Sequence, residues 1–144
     1  MAEITMHIDS IDLIMGIFGA FDENMKVLEK TLDVTVLSRE TELKVTGSDP
    51  ANVELAMQTI KSLMQLAERG ESIGTQTVQY VLGLVKDGRQ NQVAEIGKDV
   101  VCITAKGKPI KAKTVGQQTY MKAIGKNTVT IGVGPAGTGK TYLA

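Results

Sequence analysis

The chain has 144 residues, 42% hydrophobic and 22% charged, with zero net charge, a balance that suits one ordinary globular domain or two small ones. No apolar run approaches the ~20 residues needed to span a bilayer, and "MAEITMHIDS" has neither the basic nor the apolar region of a secretory signal. A single cysteine, Cys102, excludes an internal disulfide, so a reducing, cytoplasmic setting is expected.

In chain order, "ITMHI" (residues 4–8) alternates apolar and polar residues with the period of a half-buried strand. His7, the only histidine, falls on the polar face with no partner for metal or acid–base work. Asp9 and Ser10 offer cap oxygens to a short helix carrying Ile11, Ile14 and Met15, which runs into "GIFG", residues 16–19. A second helix follows with Asp22 and Glu23 in its first turn and Met25, Leu28 and Leu32 as its apolar stripe. "VTVLS" and "ELKVT" alternate around "RET", the pattern of a hairpin. "GSDPANVELAMQTIKSLMQLAERG" is a helix capped by Ser48 or Asp49, with Pro50 in its first turn, Gly70 as its stop and Val53, Met57, Ile60, Leu63, Met64 and Ala67 facing inward. Three strands and three helices can close one two-layer core, so residues 3–70 are expected to form a small α+β domain.

Residues 71–98 are expected to be a linker and helix, with Val78, Val81, Leu82 and Val85 on one side of "VQYVLGLVKDG". Residues 99–144 then hold three pieces. "DVVCITAKGKPIKAKT" predicts a hairpin turning at Lys106-Gly107-Lys108, with Cys102 a buried thiol and Pro109 confining its second arm to an edge. "GQQTYMKAIGK" predicts a short amphipathic helix, and "NTVTIGV" a strand. Charge divides along the same line. Residues 1–97 carry 8 Lys+Arg against 15 Asp+Glu, and residues 98–144 carry 8 lysines against Asp99 alone, which points to two regions with different partners.

The strand leads into Gly134-Pro135-Ala136-Gly137-Thr138-Gly139-Lys140-Thr141, an ungapped match to G-x-x-x-x-G-K-[ST]. Glycines at these positions let backbone N–H groups curl around a phosphate that side chains would obstruct. Lys140 is then placed to reach the outer phosphates of a nucleotide, and the Thr141 hydroxyl to bind Mg²⁺. The loop, with "AKTVGQQTYMKAI" upstream and "FGAFDENMKVLEK" near the N-terminus, resembles the PhoH-like ATPase family, relatives of superfamily-1 helicases. The resemblance covers nearly the whole chain. It implies ATP binding and hydrolysis with Mg²⁺, a cytoplasmic location and a role in RNA metabolism, and it makes Gln117 the candidate for reading adenine, with Gln118 beside it as a competitor. Homo-oligomerisation of the full-length protein is left open.

The order of elements over 3–70, with a GxxG between two helices, resembles a type I KH domain, where that loop lets nucleic-acid backbone approach. Here the loop interior is Ile17-Phe18, and Asp22 and Glu23 stand where phosphates would arrive, so RNA binding by this loop is disfavoured. Lys106, Lys108, Lys111 and Lys113 cluster in the hairpin without acidic neighbours and are the nucleic-acid candidates. A lysine run on an edge strand also serves simply to block unwanted pairing. The fold expected is therefore a KH-like α+β domain followed by the start of an α/β P-loop NTPase domain, the N-terminal portion of a longer ATPase that is inactive by itself. The alternatives are an RNA-binding module and a protein-interaction module, each with a non-catalytic P-loop.

Overall fold

The alternation in the first residues is realised as β1 (Ala2–His7), which pairs antiparallel with β3 (Glu42–Gly47), itself paired antiparallel with β2 (Val34–Arg39) in the order β1-β3-β2. The structure is a computed structural model that describes residues 1–144. Register fixes which side chains share a face. Ile4, Val45 and Val36 lie in one row across the sheet, and Met6, Leu43 and Ser38 in the next. The helices α1 (Ile11–Phe18), α2 (Glu23–Leu32) and α3 (Pro50–Glu68) lie between and after these strands, and α3 packs against all three. A side chain at Gly47 would begin 3.0 Å from both Val34 and Val53, so glycine there lets α3 seat on the sheet.

By contact clustering the chain forms two units, Met1–Ala94 and Glu95–Ala144. Within the first, α4 (Thr75–Lys86) packs on α2 and α3, and its Val78, Val81, Leu82, Leu84 and Val85 are buried. Asp49 caps α3 through its Oδ1, which accepts the Ala51 N–H at 2.9 Å, and Pro50 takes the first turn, where its missing N–H costs nothing. On α3 the inward face turns slightly from expectation. Ala56 and Leu66 are buried, while Met64 and Ala67 are only half-buried.

The "GIFG" stretch departs further from its expected form as a loop between helices. Gly16, Ile17 and Phe18 are the last residues of α1, and Ile17 is fully buried. An apolar residue with a core to enter keeps the helix going. The chain leaves α1 only at Gly19, whose φ of +74° suits glycine, and then bends through Phe21 and Asp22, also at positive φ. Asn24 holds this bend by donating to the carbonyls of Ile17 (2.9 Å) and Ile73 (3.2 Å).

The second unit contains a two-stranded antiparallel ladder, β4 (Val100–Ile103) with β5 (Pro109–Lys111), then α5 (Val115–Lys126) and α6 (Lys140–Leu143). Two sequence expectations are corrected here. Cys102 is exposed, because no layer of this unit covers its side of the two-stranded ladder. "NTVTIGV" joins neither sheet and is not a strand: ladder hydrogen bonds require a neighbour, and Val129, Ile131 and Val133 have none. The architecture is α+β with small antiparallel sheets. No helix is long and apolar enough to cross a membrane.

Candidate functional site

The loop Gly134–Thr141 takes its shape from its glycines. Gly137 and Gly139 have φ of +78° and +85°, a region that L side chains enter only with strain. At Gly134 a Cβ would lie 3.8–4.0 Å from the Thr138 hydroxyl and the end of Lys140, the space around which the loop closes. The Lys140 ammonium sits inside that curl, donating to the carbonyls of Gly134 (2.8 Å) and Pro135 (2.6 Å) and to Thr138 Oγ1 (3.4 Å). Thr138 Oγ1 in turn donates to the Pro135 carbonyl at 2.9 Å. Helix α6 starts at Lys140, and Thr141 is exposed in its first turn.

Helix α5 supports the loop from one side. Thr114 caps it, its Oγ1 accepting the Gln117 N–H at 3.1 Å. The Gln117 side chain bridges two segments: its Oε1 accepts the Lys113 N–H at 2.7 Å, and its Nε2 donates to the Thr138 carbonyl at 3.3 Å.

With this geometry in view, comparison with known proteins narrows the assignment. The family model described as PhoH-like protein matches residues 109–144, the segment from β5 through the loop. A PhoH-like protein of Mycobacterium bovis is 38% identical over 134 residues, covering 92% of this chain and 37% of its own length. That of Bacillus subtilis is 34% identical over 133 residues (92% and 41%), and that of Synechocystis 31% over 140 (97% and 42%). The chain belongs to the PhoH-like family. It spans about two fifths of the length of these curated relatives. No solved structure matches it.

Within this PhoH-like chain the two neighbouring glutamines have different surroundings. Gln118 is buried, with its Nε2 donating to the Glu95 carbonyl, and so serves the unit's interior. Gln117 is half-exposed and lies against the loop. Tyr120, which the sequence reading did not single out, donates its hydroxyl to the Lys140 carbonyl at 3.1 Å. Its spacing of three from Gln117, which puts both on one helix face, was the available signal.

The hairpin lysines are only partly drawn together with the loop. Lys106 and Lys108 occupy the exposed turn, which is closed by Thr104: its N–H donates to the Lys108 carbonyl and its Oγ1 accepts the Lys108 N–H. Lys111 lies on β5, and Lys113 reaches the site through its backbone bond to Gln117. The two carboxylates of this unit, Glu95 and Asp99, are engaged by Lys98 (2.8 Å) and Lys122 (4.0 Å). No cluster of three or more His, Cys, Asp or Glu side chains could hold a metal by itself.

Proposed function

We propose that this PhoH-like chain is the ATP-binding portion of a P-loop ATPase that works in the cytoplasm on RNA. The observation that carries the reading is Lys140, whose ammonium lies inside a curl of main chain shaped by Gly137 and Gly139 at positive φ, with the Gln117 amide against the same loop. A glycine-rich curl of this kind can turn its N–H groups inward beside a cation once Lys140 leaves the carbonyls it holds, a combination that suits a polyphosphate. Residues 134–141 would hold the ATP phosphates. Magnesium, held there by the Thr141 hydroxyl together with phosphate and water oxygens, would neutralise phosphate charge. Gln117 would read the adenine edge, since a primary amide both donates and accepts. ATP hydrolysis is proposed for the whole protein.

The domain division proposed is 3–70 as a KH-like α+β domain, 71–98 as a linker and helix, with that helix (α4) packed on the first domain, and 99–144 as the opening of the P-loop domain. Element order and the all-antiparallel β1-β3-β2 sheet support the KH likeness. Placement of Ile17 in the core speaks against a GxxG grip on RNA. RNA contact is assigned instead to Lys106, Lys108, Lys111 and Lys113, on a unit with 8 lysines and two carboxylates.

The direct test is titration of the chain with a fluorescent ATP analogue in Mg²⁺. Saturable binding lost in Lys140→Ala is expected, and equal binding by parent and variant would overturn the reading. For RNA, neutralising the four hairpin lysines should weaken single-strand binding and flatten its salt dependence, each lost phosphate contact removing about 0.7 from the log–log slope. An unchanged slope would remove the hairpin from the proposal.

A further inference from the structure

We infer that Tyr120 is a positioning residue for the phosphate loop, holding the main chain of Lys140 in place while the lysine side chain moves between its loop acceptors and a phosphate; this rests on the phosphate-binding reading above. Three observations meet at this residue. Its hydroxyl donates to the Lys140 carbonyl at 3.1 Å. Its ring lies against the chain entering the loop, so close that a Cβ on Gly132 would sit 3.1 Å from Cε2, 3.3 Å from the hydroxyl and 3.4 Å from Cζ. It stands on the face of α5 from which Gln117 bonds Thr138, so a single helix face meets the loop before, within and at the end of its curl.

An anchor is needed there for a physical reason. Helix α6 has only four residues, and its internal bonds are those from Leu143 N–H to the Gly139 carbonyl (2.9 Å) and from Ala144 N–H to the Lys140 carbonyl (3.2 Å). One turn of helix is far below the length that stabilises itself. The preceding residue, Gly139, is the most freely rotating kind of residue in the chain. The Lys140 ammonium uses its three donors on Gly134, Pro135 and Thr138, and to bind a phosphate it must give some of them up. Exchange of partners at the tip produces a defined phosphate site only if the base of the side chain stays put. The second lone pair of the Lys140 carbonyl, beside the one used by Ala144, is where Tyr120 supplies that constraint.

The test uses the full 144-residue chain carrying Tyr120→Phe, titrated with a fluorescent ATP analogue in Mg²⁺ and, separately, with adenosine followed by NMR shifts. Loss of one neutral hydrogen bond should weaken triphosphate binding roughly two- to tenfold, with adenosine binding unchanged. Gly132→Ala should weaken triphosphate binding as well, and the double variant should be no weaker than Gly132→Ala, because a displaced ring has already lost its bond to Lys140. Tyr142→Phe, at an exposed ring, serves as the neutral control. Triphosphate affinity equal to the parent's in Tyr120→Phe, or an equal loss for adenosine, would overturn the role. A nucleotide-free readout separates this from failure of the phosphate-loop reading. The Lys140 carbonyl carbon resonance should shift in Tyr120→Phe, and if it does not, the anchor does not exist. A parent chain that binds no triphosphate at all would overturn the phosphate-loop reading and the positioning role together, even where the shift shows the anchor to be present.

Discussion

In the first unit Ile17, Leu28, Leu43, Val45, Ile60 and Leu63 are wholly buried, whereas in the second Val129, Ile131 and Val133 stand 78%, 85% and 92% exposed. Both sets are strongly apolar, so composition does not explain the contrast. Neighbours do. The three strands of the first unit find each other within 47 residues and are covered by α3, which follows at once from Pro50, with α2 against β2. The β-branched run before the glycine-rich loop meets no strand to pair with. The second unit accordingly holds its loop by other means: glycine dihedrals at 137 and 139, and three side chains, Gln117, Tyr120 and Thr138, that bond main-chain carbonyls.

That contrast is open to direct attack. The largest effect is expected at Leu63→Ala, which opens a cavity in the closed core and should lower stability by about 2–5 kcal/mol in urea unfolding. A shift well under 1 kcal/mol would mean that the first unit is not the stable one. Next comes the pair of glycines at the end of α1. Gly19→Ala should cost roughly 1–3 kcal/mol, because its φ is +74° and the new methyl would start 2.8 Å from the buried Asn24 amide. Gly16→Ala, inside the helix with open space around it, should instead be neutral or stabilising by up to about 1 kcal/mol. Equal costs at the two positions would contradict the observed end of the helix.

Smaller effects sharpen the comparison on the side of the loop. Gln117→Ala should reduce preference for ATP over GTP by roughly 1–3 kcal/mol. Gln118→Ala should lower thermal stability and leave base choice intact, since its side chain is buried in the unit's interior, away from the loop. Reversal of these two phenotypes would reassign the base reader. The smallest effect is expected at Val133→Ala, within about 0.5 kcal/mol, as for an exposed side chain outside any packed layer. In the same chain, amide exchange at Ile131 and Val133 should be fast and that at Val45 slow. Strong protection at Ile131 would show that the segment has found a partner strand.

The readings that survived from sequence to structure are those set by residues close together in the chain. Asp49 and Pro50 start α3 because an N-cap oxygen and a fixed φ act over one or two residues. The hairpin at Lys106–Lys108 closes around Gly107, whose φ is +74°. The curl of residues 134–141 follows from glycine at 137 and 139, where the backbone alone dictates the residue. Each of these could be read before any fold was known.

What the sequence could not supply was the identity of long-range neighbours. Whether Gly16–Gly19 forms a loop depended on a core for Ile17 to enter, assembled with α2 and α3. Whether Cys102 is covered, and whether "NTVTIGV" is a strand, depended on layers and ladders that this chain does not provide there. Which of Gln117 and Gln118 lies against the loop turned on a rotation of about 100° per residue around α5, which sends one amide to the loop and its neighbour into the interior. Local dihedral preferences are written in a few adjacent residues, while burial and pairing are properties of two distant segments at once, so only the assembled fold decides them.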